Sequence, residues 1–311
     1  MPVRPASNPP KNAICARGRT AHDEKIARLC ALIFLVGSAV LTAQAPVGLD
    51  KTVLVAGHTA HFLEAGAGPP VVLLHGLGAD ARAWRNTLPV LAKSHHVYAL
   101  DLLGFGQSEK PQIPYRIATL GDFVIGFLDA VEIKKATVVG HSLGGWVAAR
   151  VAATNPNRVD KLVLVDAAGY AEDQALVIHD FLSQLDPATA KSVEQILSSL
   201  GSMPAANQQA LRDLAMSYFA RRLARPDGFA TAALVESILK GQDVLDGTLD
   251  QIKAPTLVVW GRNDPVVPLR AADAFAKDIH GARRVILDGC GHRPQLECAA
   301  EFNAEVLKFL K

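Results

Sequence analysis

The chain has 311 residues, half of them hydrophobic and 20% charged, a composition that buries one large α/β core and is too apolar for a disordered segment. Its formal net charge is +2, but residues 1–30 carry Arg4, Lys11, Arg17, Arg19, Lys25 and Arg28 against Asp23 and Glu24, which leaves the remainder near −2. No basic stripe is left for nucleic acid, and that class of partner is excluded.

The basic head runs into Leu29 to Leu41, thirteen residues without a charge, and then into Ala43-Gln44-Ala45. Basic, apolar, small-x-small is the layout of a secretory signal, and the run is short for a spanning helix. Pro46 follows, where proline hinders signal peptidase. Residues 1–45 are therefore expected to be a leader cut near Gly37-Ser38-Ala39, or an uncleaved N-terminal anchor. Either way the protein is expected to be exported, to the periplasm or beyond, or held to a membrane through this apolar segment.

The core is expected in two parts, 46–170 and 251–311, with a helical cap over 171–250. Thr52–Val55 and Thr59–Leu63 flank Ala56-Gly57-His58 and read as an antiparallel hairpin at the leading edge of a sheet. Val71–Leu74 is a continuous apolar run, as for a strand buried on both faces. His75-Gly76-Leu77-Gly78 follows at once. Its glycines let main chain approach a reacting centre, so the Leu77 N–H is a candidate oxyanion donor, while His75 reads as a structural histidine that holds the loop.

A helix is expected around Trp84 to Ala92, then a buried strand at Val97–Leu100. That strand ends in Asp101-Leu102-Leu103-Gly104-Phe105-Gly106-Gln107-Ser108, whose aspartate and serine are expected to tie the loop's own backbone. Leu120 to Val131 reads as a helix. The β-branched run at Ala136–Val139 stops at Gly140-His141-Ser142-Leu143-Gly144-Gly145 and re-emerges as the alanine-rich Trp146–Val151, a strand, tight turn and helix. Such a turn presents the Ser142 hydroxyl above the strand ends and aims the first N–H groups of the helix, Leu143 foremost, at the site of a developing oxyanion.

Leu162–Val165 is the next strand, with Asp166 at its end. Helical spacing then dominates 171–250, rich in Leu, Ile, Val, Ala and Phe, as for an apolar roof over a site for uncharged acyl groups. The core resumes with Thr256–Trp260, then Asp264 in Gly261 to Pro268, and with Arg284–Leu287, then His292. Alternating strands and helices predict a doubly wound, mostly parallel sheet whose ligand crevice lies at the carboxyl ends of the strands.

Ser142, Asp264 and His292 each fall just past such an end. A serine hydroxyl needs a base, and the base an acceptor that orients it. His292 fits the base and Asp264 the acceptor, with Asp166 the rival acid. Cys15 and Cys30 fall in the leader. Cys290 and Cys298 flank His292 and could pair in an oxidising compartment, although two reduced thiols packed as small hydrophobes are the expectation. The cysteines are too few and badly spaced for zinc.

From about Val53 to Leu310 the chain resembles the α/β-hydrolase superfamily, in His75-Gly76, Asp101 to Ser108, Gly140 to Gly145, Gly261 to Pro268, and Gly291-His292 with Pro294 and Glu297. The resemblance implies a Ser-His-Asp hydrolase that works through an acyl-enzyme on a small-molecule ester, with no metal or organic cofactor. Haloalkane dehalogenases and epoxide hydrolases carry aspartate where Ser142 stands. Carbon–carbon bond hydrolases of ring-cleavage pathways usually have another residue before the serine, and His141 is closer to lipases and esterases. Carbon–carbon cleavage and acyl transfer to an alcohol or peroxide remain alternatives. A non-catalytic binding protein is less expected, since no member of the triad is missing.

Overall fold

The computed structural model describes residues 48–171 and 226–311. The expected leader and cap residues 172–225 lie outside that range.

Hydrophobic runs bounded by turn residues become eight strands among the described residues: β1 (Leu49–Val55), β2 (His58–Ala65), β3 (Pro70–Leu74), β4 (His96–Leu100), β5 (Ala136–His141), β6 (Val159–Val165), β7 (Thr256–Gly261) and β8 (Arg283–Leu287). They form one sheet in the order β1-β2-β4-β3-β5-β6-β7-β8. The β1–β2 hairpin and the β2–β4 pair are antiparallel, and every pair from β4 to β8 is parallel. The hairpin forms the leading edge, where Leu49 and Leu54 are exposed, whereas every residue of β5 and β7 is buried. Strands covered on both faces read as unbroken apolar runs for that reason.

Side chains alternate between two cores, one on each face of the sheet. One holds Phe127, Trp146, Trp260 and Phe275, packed with helices α1 (Ile117–Ala130), α2 (Leu143–Thr154), α3 (Gly228–Leu239) and α4 (Leu269–Asp278). The other holds Trp84, Leu88 and Leu91 with Phe302 and Val306 of α5 (Ala299–Leu310).

The helix expected over Trp84 to Ala92 is two short turns instead, Ala81–Trp84 and Leu88–Leu91. Asp80 caps the first by accepting from the Arg82 N–H at 2.9 Å, and Pro89 lies in the opening turn of the second. The apolar spacing is still satisfied, because Trp84, Leu88 and Leu91 are all fully buried.

Candidate active site

β5 delivers Ser142 into a turn whose backbone, φ 52° and ψ −117°, lies outside the regions an L-residue prefers. Residues held so cost about 1–3 kcal/mol each and persist where the surroundings over-determine them. Here close approach does so: a Cβ on Gly144 would sit 2.4 Å from the Leu74 carbonyl oxygen and 2.5 Å from that of His75. Ser142 begins α2 through its main chain, its carbonyl accepting from the Gly145 and Trp146 N–H groups at 2.9 and 3.1 Å. Its hydroxyl makes no capping bond and is left for chemistry.

The loops after β7 and β8 bring Asp264 and His292 together. Asp264 Oδ1 accepts from the Val266 and Val267 N–H groups at 2.7 and 3.0 Å, and Oδ2 accepts from His292 Nδ1 at 2.8 Å. Both side chains are buried. Nε2 of His292 has no partner among the described residues, so it can take a proton from a hydroxyl. The rival acid, Asp166, bonds the Gly261 N–H through Oδ1 at 3.0 Å, while the imidazole goes to Asp264.

His141 ties the two halves of the site. Its Nε2–H donates to the His292 carbonyl at 2.7 Å, with ring centroids 4.8 Å apart. Burial, with the charge on His292, holds His141 well below the usual histidine range, so it is a neutral donor. Its side chain fixes the His292 main chain to the residue next to Ser142.

The loop after β3 lies over the serine, since a Cβ on Gly76 would be 3.3 Å from that of Ser142. The N–H groups of Leu77, in this loop, and of Leu143, at the start of α2, are not engaged by any acceptor among the described residues. His75 is structural, as expected. Its Nδ1–H donates to the Gly76 carbonyl at 2.8 Å and its Nε2 accepts from the Leu102 N–H at 3.1 Å, while burial lowers its pKa and keeps it neutral.

Asp101 is structural too. Its carboxylate accepts from the Ala81 N–H at 2.6 Å, the Gln107 N–H at 2.7 Å and His61 Nδ1 at 2.8 Å. Ser108 Oγ donates to its carbonyl at 2.6 Å and accepts from the His61 N–H at 2.9 Å. A Cβ on Gly106 would meet the carboxylate at 2.1 Å, which accounts for the glycine.

The expectation of reduced thiols is overturned. Cys290 and Cys298 form a disulfide, with Cα atoms 6.0 Å apart, around the loop that carries His292. A helical turn at Pro294–Glu297 folds Cys298 back toward Cys290. Glu297 braces the same loop by accepting from the Gly291 and Arg293 N–H groups at 2.6 and 3.2 Å. Eight residues of spacing carry no signal of that fold-back.

Ser142 and His292 line one cavity of about 770 Å³, walled by Leu77, Ala83, Val266 and Leu296, within the range of small-molecule sites. Arg82, Arg85 and Arg293 also line it; Arg82 and Arg293 face the carboxylates of Asp80 and Glu297, and Arg85 reaches the Arg82 carbonyl at 3.5 Å. Asp166, Asp264 and His292 place ligand atoms within 4.8 Å of one another. Of their polar atoms, Asp264 Oδ1 and Oδ2, His292 Nδ1 and Asp166 Oδ1 are engaged in hydrogen bonds.

A family model described as the alpha/beta hydrolase fold matches residues 69–298. The 2-hydroxymuconate semialdehyde hydrolase of Pseudomonas sp. (strain CF600) is 31% identical over 279 residues, which cover 84% of this chain and 94% of that one. The crystal structure of a membrane phospholipase A, a bacterial virulence factor, is similar with a TM-score of 0.68 and 28% identity over 92% of this chain and 98% of its own. A meta-cleavage product hydrolase from Pseudomonas fluorescens IP01 has a TM-score of 0.65 and 30% identity, over 84% of this chain and 97% of its own. By sheet order, by the strained serine turn and by these matches, the chain belongs to the α/β-hydrolase fold family.

Proposed function

We propose that the chain is a serine hydrolase that cleaves carboxylic esters of uncharged, apolar acyl groups through an acyl-enzyme. Ser142 Oγ attacks the ester carbonyl while His292 Nε2 takes its proton, and Asp264 holds the ring and stabilises the imidazolium. The N–H groups of Leu77 and Leu143 receive the oxyanion. His292 then protonates the leaving alcohol, and water it activates releases the acid. The observation that carries this reading is the unpartnered Nε2 of an aspartate-bound histidine, in the same cavity as a serine hydroxyl not spent on capping.

The apolar residues in the cavity wall, Leu77, Ala83, Val266 and Leu296, and His141 before the serine support an ester substrate. Each buried methylene contributes up to about 0.8 kcal/mol, a fewfold in specificity until the pocket fills. Across p-nitrophenyl esters of graded length, kcat/KM is expected to rise from acetyl to a short or medium chain and then fall. A flat profile contradicts the apolar acyl pocket.

Carbon–carbon bond hydrolysis is the second reading. It is favoured by relatives such as the Pseudomonas hydrolase above and the 2-hydroxy-6-oxo-6-(2'-aminophenyl)hexa-2,4-dienoic acid hydrolase of Metapseudomonas resinovorans, 31% identical over 276 residues. 2-Hydroxymuconate semialdehyde assayed beside the esters separates the two. Turnover of it above every ester assigns the chain to carbon–carbon cleavage. Acyl transfer is separated by product analysis with competing alcohols.

We also propose export or membrane attachment through residues 1–45. The Cys290–Cys298 disulfide supports it, since such bonds persist in oxidising compartments. Full-length protein found soluble in the cytoplasm with its N-terminus intact contradicts it.

A further inference from the structure

The proposed mechanism leaves one buried ionisable side chain at the site unused. Asp166 follows β6 directly with φ 42°, in the left-handed region that aspartate tolerates better than most residues, and it is completely buried. Its main-chain N–H is fixed to the Val259 carbonyl at 3.1 Å and its Oδ1 accepts from the Gly261 N–H at 3.0 Å. Oδ2 has no hydrogen-bond partner among the described residues, yet it is fully buried, and ligand atoms of the Asp166 and Asp264 carboxyls lie within 4.8 Å of one another. Two carboxyls this close and cut off from water repel each other unless one of them carries a proton.

Asp264 already accepts three N–H donors on its two oxygens, whereas Asp166 accepts one and has an oxygen left to carry a proton. We infer that Asp166 is a neutral carboxylic acid whose O–H donates to the Asp264 carboxylate, a positioning residue that acts on His292 through Asp264. Burial, and then the Asp264 charge, push the Asp166 carboxyl well above the usual carboxylate range, in the same direction as the geometry. Other titratable groups around it are Glu297 and His292 from the loop after β8, and His141 from β5, whose residue pairs with Val165. None of them supplies a donor to Oδ2.

The O–H has two effects. It holds the Asp264 carboxylate in the orientation that meets Nδ1, and it disperses part of the negative charge that the imidazolium would otherwise receive. A carboxylate stripped of that donor attracts the imidazolium proton more strongly. His292 then becomes the free base only at higher pH.

The test uses two substitutions and one spectrum. Asp166→Asn can still accept from Gly261 and donate an N–H to Asp264, and it suits the backbone angle. Asp166→Leu is close in volume and can donate nothing. With the preferred p-nitrophenyl ester, the Asn variant is expected to keep the acidic limb of kcat/KM where wild type has it, and the Leu variant to move it up by about half a pH unit or more. If both move it down, Asp166 is an anion in the native protein. If neither moves it, Asp166 only packs. Either result overturns the inference.

The activity arm rests on the serine-hydrolase reading, and the spectrum does not. An infrared difference between wild type and Asp166→Asn at pH 7 is expected to show loss of a protonated carboxylic acid C=O band that shifts in ²H₂O, whether or not any ester is turned over. Loss of carboxylate bands alone overturns the inference, and this arm decides if Asp166→Leu does not fold.

Discussion

Among the described residues, His61 and His292 each hold an aspartate through Nδ1 with nearly equal geometry. His61 Nδ1 lies 2.8 Å from Asp101 Oδ2, and His292 Nδ1 lies 2.8 Å from Asp264 Oδ2, with all four side chains buried. They differ at the far nitrogen. His61 Nε2 faces Asp50 Oδ1 at 2.9 Å and the Gln107 amide at 3.3 Å, whereas His292 Nε2 is unpartnered in the cavity of Ser142. They also differ in mounting: His61 sits on a strand, and His292 on a loop held by a disulfide, Glu297 and His141. An aspartate orients a histidine equally well in a brace and in a base. The free nitrogen in the cavity of a serine hydroxyl is what distinguishes the second.

The widest separation comes from removing reactive atoms. Ser142→Ala and His292→Ala are each expected to lower kcat on the order of a thousandfold or more, with unfolding curves close to wild type. His61→Ala is expected to lose stability first. Comparable loss of kcat per folded molecule in His61→Ala would erase the distinction between the pairs.

The acids sharpen it. Asp264→Asn favours the wrong tautomer of His292 and is expected to cost kcat by on the order of a thousandfold. Asp101→Asn puts an amide among three N–H donors and is expected to cost about 2–4 kcal/mol of stability. Chemical denaturation beside kcat/KM on both variants measures the crossing, and the reverse ranking would place the chemistry on the wrong pair.

The mounting gives a smaller effect. Replacing both Cys290 and Cys298 by serine opens a short loop and is expected to cost about 2 kcal/mol. The loss should come with a lower kcat, because the loop holding His292 loosens while the strand holding His61 does not. Unchanged kcat in the double variant would show that Glu297 and His141 suffice.

The smallest effect is electrostatic. His75 and His141 are buried neutral, both held below the ordinary value of 6.5 by desolvation. Below that value the unfolded chain takes up protons the native protein refuses. Their contribution to stability is therefore complete above it and is lost as pH falls through it, by at most about 1.4 kcal/mol per pH unit for each. Denaturation at pH 7.5 and 5.5 should show a smaller drop for His141→Asn than for wild type, and an equal drop would mean that His141 already binds a proton in the native state.

Most of this frame was readable in the chain. Val71–Leu74, Ala136–Val139 and Thr256–Trp260 are apolar runs ended by glycine or a polar loop, a local signal, and their ends locate Ser142 and Asp264 as Arg284–Leu287 locates His292. The role of Asp101 was legible because its partners, Gly106 to Ser108, are close in sequence. The disulfide, the split of the 84–92 helix and the closeness of Asp166 to Asp264 were not legible. Each depends on segments that converge only in three dimensions; Asp166 and Asp264 come from the ends of two strands separated by the whole of 171–250.

The central claim is that Ser142 is a nucleophile activated by His292, and a fluorophosphonate tests it without knowledge of the substrate. Wild type is expected to gain one adduct, mapped by peptide mass spectrometry to Ser142, at a rate that collapses in His292→Ala and is retained by folded His61→Ala. Absence of an adduct on folded wild type, or an adduct elsewhere, would contradict the account.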